Sequence, residues 1–310
     1  TNVPPTNNTD MKTYGWELQI GWRDQIGDFK YGAKLSLSDS QSKILRYGNP
    51  TGSLSKYVEG ELIGNIYGYT TIGIAKTDEE MQQHLASLPN GGQSALGSQW
   101  AAGDIMYADL NGDGKINNGS YTINDMGDMK KIGNSTPRFM TGINLDAAYK
   151  GWDLQMFWQG VLKRDWWPGD KNMTFWGVTD GEWWSTSFKE HLDYFRTSEN
   201  PLGENLNSYY PRPIFNTKNN KSQTRYLQNA AYMRLKNIQV GYTFPKVWIN
   251  KLMLQNLRIF VSGENLLTIT SLSDTMDPET CGAGYQSTEQ ANGTVYPLAK
   301  TISFGLSVNF

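Results

Sequence analysis

Asp109, Asn111 and Asp113 stand at alternate positions, with Gly114 and Lys115 directly after them. Counted from Asp109 these are offsets 1, 3, 5, 6 and 7 of a calcium loop of the EF-hand type. The spacing serves the chemistry. Short oxygen side chains on every second residue of a tight turn converge on one ion, the glycine takes the bend, and the carbonyl of Lys115 adds a ligand. Offset 12, where a bidentate acid belongs, is Ser120, and the next acids are Asp125 and Asp128. The residues describe an incomplete loop for Ca2+ or another hard cation with a late closing carboxylate. The alternative is an Asx-rich turn that holds no ion.

A second group is aromatic. Trp166, Trp167, Trp176, Trp183 and Trp184 fall within one irregular stretch that also holds Tyr209 and Tyr210. Indole faces beside acids and amides suit sugar rings, whose C–H faces lie flat on an aromatic while their hydroxyls need hydrogen bonds. The same tryptophans equally well make the core of a large loop. Glu182, Glu190 and Asp193 stand among them, but no spacing marks the carboxylate pair that glycoside hydrolysis requires.

Composition narrows the scaffold. In 310 residues the net charge is −2 and aromatics reach 13%, so no basic face for nucleic acid is implied. The single cysteine, Cys281, has no internal partner for a disulfide. No apolar run is long enough for a transmembrane helix. A mean hydropathy of −0.55 does not exclude a β-barrel, whose strands show lipid only every second side chain.

The elements that must carry these sites are strands. From Tyr14 to Asp24, Trp16, Leu18, Ile20 and Trp22 alternate with Glu17, Gln19, Gly21 and Arg23. An apolar face tipped by tryptophan suits an outer-membrane strand, with a strand of a soluble sandwich as the alternative. A turn at 25–28 leads to a second strand, about Phe29 to Ser38. Phe139–Tyr149 and Trp152–Trp158 form a hairpin about Lys150-Gly151. Tyr232–Phe244 is a fifth strand with a bulge near Lys236, Pro245–Met253 a short helix or turn, Leu257–Gly263 a sixth strand, and the chain ends on alternation at Phe304–Phe310. Thr77 opens a short helix with an acidic first turn. Long excursions at about 39–137, 162–229 and 271–296 alternate with tight turns. An up-and-down barrel with short periplasmic turns and large outer loops has that parity, and a sandwich gives no reason for it. The fold class expected is therefore all-β: part of an antiparallel transmembrane β-barrel, about seven strands with an open edge.

Several motifs then carry a resemblance. Gly103-Asp104-Ile-Met-Tyr107 through Ile116, Ile132-Gly133 with Pro137-Arg-Phe139, Tyr149-Lys-Gly-Trp152, Phe157-Trp-Gln-Gly160, Tyr232 to Tyr242 followed by Pro245, and Arg258 to Leu267 with the terminal Phe310 are similar, in order, to the C-terminal barrel portion of SusC/RagA-type TonB-dependent transporters of Bacteroidetes. The resemblance spans nearly the whole chain. It implies a barrel of about 22 strands, a plug domain and a TonB-contacting box. The plug and TonB box are expected N-terminal to this chain, which is read as the last third of the transporter. It also implies a SusD-like surface lipoprotein as partner, TonB engaged through the N-terminal part, and an outer-membrane, multi-pass location in contact with lipid. By resemblance the cation loop comprises Asp109, Asn111, Asp113, the Lys115 carbonyl and Asp128, which takes the family's usual closing position. The spacer 117–126 is longer than the family's. The function expected is import of oligosaccharides or peptides without catalysis. A secreted carbohydrate-binding or carbohydrate-active β protein and a passive porin are the alternatives.

Overall fold

The computed structural model describes residues 7–182, 185–281 and 295–310. Seven long strands form one sheet: Asp10–Ile26, Phe29–Arg46, Arg138–Tyr149, Trp152–Lys163, Tyr232–Thr243, Asn256–Thr270 and Thr301–Asn309. Each pairs antiparallel with the next in chain order. This is the meander expected, with two unpaired edges among the described residues.

The second and sixth strands are longer than their alternation indicates, ending at Arg46 and Thr270. The upper end of the second strand rises beyond the apolar band, where Ile44 is buried under the loop at 60–61. The sixth strand stays in the band above its bulge, with Leu267 and Ile269 exposed in the rows of Ile20 and Leu18. The bulge is where the sequence placed it. Lys236 is skipped in the pairing of the fifth strand to both neighbours.

Cross-strand register shows how the two faces differ. Residues directly opposite share a face. Trp22, Ala33, Leu145, Met156, Ile238, Gly263 and Ile302 form one continuous outward row across all seven strands. The row nearest the tight turns is Ile26, Phe29, Tyr149, Trp152, Tyr242, Ile259 and Leu306. Its rings touch: Phe29 and Tyr149 lie 6.5 Å apart, Trp152 and Tyr242 4.9 Å. On this face Trp16, Leu18, Ile20, Trp22 and Trp152 are all exposed. From Ile26 up to Trp16 is ten residues, which at about 3.3 Å each and a tilt of about 45° rise roughly 23 Å, the height of the lipid-facing band of a barrel. A bare apolar face this large suits hydrocarbon, not water.

The inner face is polar and low. Arg23 reaches Asp146 at 3.5 Å. Arg258 bonds Asp153 from Nε at 3.0 Å and lies 4.9 Å over the Phe260 ring. Glycines make room for these side chains. A Cβ at Gly32 would meet Asp146, one at Gly241 would meet Arg258, and one at Gly305 would sit 2.0 Å from the Phe260 ring.

The hydrophobic core lies elsewhere. It joins the three excursions into one cap, with Tyr107, Trp166, Phe175, Trp176, Tyr226 and Cys281 buried together. The helix Asp78–Ala86 belongs to this cap. Its N-cap Thr77 accepts from the Glu80 amide at 3.2 Å.

The two faces make opposite demands on a charge. Leu145→Arg, near mid-band on the outward face, is expected to cost about 2–4 kcal/mol, whereas Gln155→Arg on the inner face beside Asp146 stays within about 0.5 kcal/mol. Denaturant titration of the full-length protein refolded in lipid vesicles separates the two.

Candidate functional site

The segment from Gly103 to Pro137 crosses the top of the sheet, and its first residues are anchored in the cap. Gly103 has φ +84, and a Cβ there would lie 2.4 Å from the Phe195 ring. This tight crossing seats Asp104 at the centre of a buried knot. The Asp104 carboxylate, fully buried, receives Arg212 Nε and Nη2 at 2.8 Å each, Lys218 Nζ at 2.8 Å, Asn219 Nδ2 and the Ala101 amide at 2.9 Å. Lys218, only 2% exposed, also lies 4.5 Å over the Trp100 ring. Burial pushes the Asp104 carboxyl up, but the bonds from Arg212, Asn219 and Lys218 outweigh it and hold it below the ordinary range. The same burial lowers Lys218. No motif announced this knot. Its only sequence trace is an acid directly after a glycine, and its side-chain partners lie more than a hundred residues on.

The loop expected to hold a cation follows. Asp109 accepts from the amides of Gly112 at 2.7 Å and Gly114 at 2.9 Å, Asn111 Oδ1 from the Asp113 amide at 2.9 Å, and Asp113 Oδ1 from the Lys115 amide at 3.1 Å. Gly112 and Gly114 both take positive φ, which gives the loop its winding. Asp128 lies beneath, fully buried. One of its oxygens takes the Leu110 amide at 2.9 Å and the other the Asn117 amide at 2.8 Å, strapping the two ends of the loop together. Ser120 and Asp125 close a separate side turn. Both the amide and hydroxyl of Ser120 donate to Asp125. That side turn absorbs the long spacer.

Electrostatics single out one pair. Burial first, and then the charge of Asp109, push the Asp128 carboxyl up. Burial also pushes Asp109 up, but the amides of Gly114 and Gly112 and a hydrogen bond to Asp128 hold it down. Two carboxylates thus face each other at the base of the loop, which is the donor chemistry a hard cation fits. Among the described residues no three His, Cys, Asp or Glu side chains converge as a cage. Asp113 turns toward Asn111 Nδ2 at 3.3 Å and Lys115 Nζ at 3.9 Å. The fit therefore rests on Asp109, Asp128, Asn111 and main-chain oxygen.

The aromatic group requires a correction. Trp166 and Trp176 are 2% and 0% exposed. Trp176 meets Tyr226 at 4.8 Å and Phe175 at 4.9 Å, and its Nε1 donates to the Gly169 carbonyl at 2.8 Å. Both indoles build the cap and offer no platform to a ligand, because a large loop without disulfides needs a core of its own. Trp167 packs at the edge of that core, 6.1 Å from Trp176. Trp183 and Trp184 lie outside the described residues. The acids near them have structural partners: Glu182 pairs with Lys171 at 3.3 Å and Asp193 accepts from Asn205 at 2.7 Å.

A second knot ties the third excursion down onto the inner face. Arg234, beside the bulge, bonds Asp277 at 2.9 Å and Glu279 at 3.0 Å, and Lys236 reaches Glu279 at 3.1 Å. Lys236 at the bulge and Arg234 two residues before it thus serve the same loop.

An amphipathic antiparallel wall with a lipid-height apolar face, a polar inner face and a folded cap on one side defines a transmembrane β-barrel segment of the outer-membrane type. No protein-family model matches the chain. It is 27% identical to TonB-dependent receptor P3 of Formosa agariphila over 98% of its own length and 29% of that protein, and 23% identical to TonB-dependent receptor P39 of the same organism over 98% and 31%. Its fold matches the RagAB peptide transporter with a TM-score of 0.67 at 19% identity, and the RagAB peptide importer in its closed-closed state with 0.63 at 17%, covering 98% of this chain and 30% of each. Over nearly its whole length the chain is similar to these TonB-dependent receptors, and it shares the fold of the RagAB structures. It spans about three-tenths of the length of these relatives.

The Asp104 knot sets a test of the cap. Asp104→Ala leaves the buried Lys218 and the partly exposed Arg212 without their acid, at a cost of about 3 kcal/mol. Hydrogen exchange is expected to rise at 93–107 and 212–224 while the sheet stays protected. An acid whose folded pKa is depressed contributes fully above its unfolded value near 4 and loses that contribution as pH falls through the folded value. In the unmodified protein the same amides are therefore expected to stay protected at neutral pH and to loosen only below about pH 4.

Proposed function

We propose that this chain forms wall strands and extracellular loops of a multi-pass outer-membrane importer. It takes up oligomers too large for passive pores, with energy supplied by TonB through a plug domain and with a SusD-like lipoprotein over the cap. The observation that carries the reading is the seven-strand outward apolar row at lipid height beneath a cap folded from the alternate loops. Peptide and oligosaccharide are both within the substrate class. Burial of Trp166 and Trp176 removes the strongest sugar-stacking surface, which leaves Trp167 as the remaining described candidate and favours peptide. The named activity of the RagAB proteins leans the same way. Uptake of labelled oligopeptides and oligosaccharides by cells carrying the full-length protein is the test. Accumulation is expected to fall to background when TonB is deleted, and uptake that persists unchanged overturns the mechanism.

We further propose Ca2+ at the loop of Asp109, Asn111, the Lys115 carbonyl and Asp128, which Asp113 would join by leaving Asn111 and Lys115. A bound divalent cation would neutralise the facing carboxylates, and this chain's residues would hold the loop shape around it. Limited proteolysis within 103–137 is expected to speed up in EDTA at neutral pH, with the sheet intact. A raised folded pKa means that Asp128 favours the fold when protonated and loses that contribution as pH rises through its folded value. The EDTA effect should therefore shrink as the pH is lowered. Equal cleavage with and without EDTA at neutral pH removes the ion from the account.

A further inference from the structure

Two of the turns below the sheet take only two residues, 27–28 and 150–151, while the connection between the fifth and sixth strands runs from 244 to 255. It holds a helical turn at Lys246–Ile249 and a 3-10 turn at Asn250–Leu252. Ile249, 2% exposed, faces the protein. Val247, Trp248 and Met253 face out, at 76%, 60% and 89% exposure. Three large apolar side chains bare on one turn are too costly to be a solvated surface, at about 1.5–3 kcal/mol each if buried instead.

What covers them follows from where they sit. Trp152 and Tyr242 belong to the lowest outward aromatic row. Tyr242 touches Phe244 at 5.1 Å, and Phe244 touches Trp248 at 6.3 Å. The rings thus descend without a break from the lipid-facing wall onto the turn. Lys246 and Lys251 flank the apolar residues and are exposed. The strands on both sides of this turn are themselves paired on both flanks, the fourth against the fifth and the seventh against the sixth, so no further strand of the sheet pairs beside it. An apolar cluster ringed by lysines and continuous with an aromatic girdle has the composition of an element lying in the headgroup layer. Ammonium groups on flexible stems reach the phosphates while the stems stay among the acyl chains.

We infer that the turn 244–255 is a membrane anchor embedded in the periplasmic leaflet. Val247, Trp248 and Met253 enter the upper acyl region, and Lys246 and Lys251 engage anionic phospholipid headgroups. The inference rests on the outer-membrane reading above and adds a fixed depth and orientation for this side of the wall.

The experiment uses the full-length transporter with Val247→Cys, Met253→Cys, Ile20→Cys or Phe215→Cys, each labelled with an environment-sensitive fluorophore. Each variant is reconstituted in vesicles of phosphatidylethanolamine and phosphatidylglycerol with and without lipid brominated along its acyl chains. Folding is checked for each by heat-modifiable gel mobility, and Cys281, buried in the cap, is left in place. Labels at 247 and 253 are expected to lose about half their emission or more to the brominated lipid, as at Ile20 in the wall, while Phe215 in the cap is unaffected. Quenching at Ile20 with none at 247 and 253 overturns this inference alone. Loss of quenching at Ile20 as well removes the outer-membrane reading. Labels that are unquenched in vesicles yet shielded from a water-soluble thiol reagent in cells would assign the turn to a periplasmic protein, which also overturns the lipid anchor.

Discussion

Hydrocarbon offers no hydrogen bonds, so each strand of this wall must spend its backbone groups on its neighbours. That single constraint accounts for the unbroken antiparallel ladder from Asp10 to Asn309. It also explains why the wall has no core in the usual sense. Side chains facing lipid gain nothing by clustering, and side chains facing in are kept polar. Cohesion within the sheet comes from backbone pairing and from crossed ion pairs such as Arg258 with Asp153.

The hydrophobic effect operates instead where water returns, above the band. There the three excursions condense into a cap with an aromatic centre, and the buried Asp104 knot joins the first excursion to the second. The wall and cap meet through a few charged ties, chiefly Arg234 to Asp277 and Glu279. The loop at 109–115 sits between knot and wall, at the point where the first excursion must return to start the third strand. Arg138, which begins that strand, forks onto Asp39 and lies over Phe139, whose positive φ turns the chain into the sheet.

The wall was legible in the sequence because lipid imposes a period of two on it. Trp16 to Trp22 and Trp152 to Trp158 announce both the face and its limits, and the bulge at Lys236 shows as a break in that period. The cap was not legible in the same way. Nothing periodic distinguishes Trp176 as a core residue from a tryptophan waiting for a sugar, because both uses need the same flat apolar ring. The partner of Asp104 could not be named either, since Arg212 and Lys218 are brought to it only by the folding of two separate excursions. The oxygen spacing of 109–115 was readable because it is local, and the role of Asp128 beneath it was readable only through the family resemblance.

The glycines of the inner wall have one more effect. With hydrogen alone at 32, 241 and 305, neighbouring acid, guanidinium and phenyl groups recline across the strands and do not project from them. At each of these places the inner surface is lower by roughly the breadth of a side chain, because a Cβ there would collide with its neighbour. The relief of this inner face is set as much by the side chains left out as by those retained.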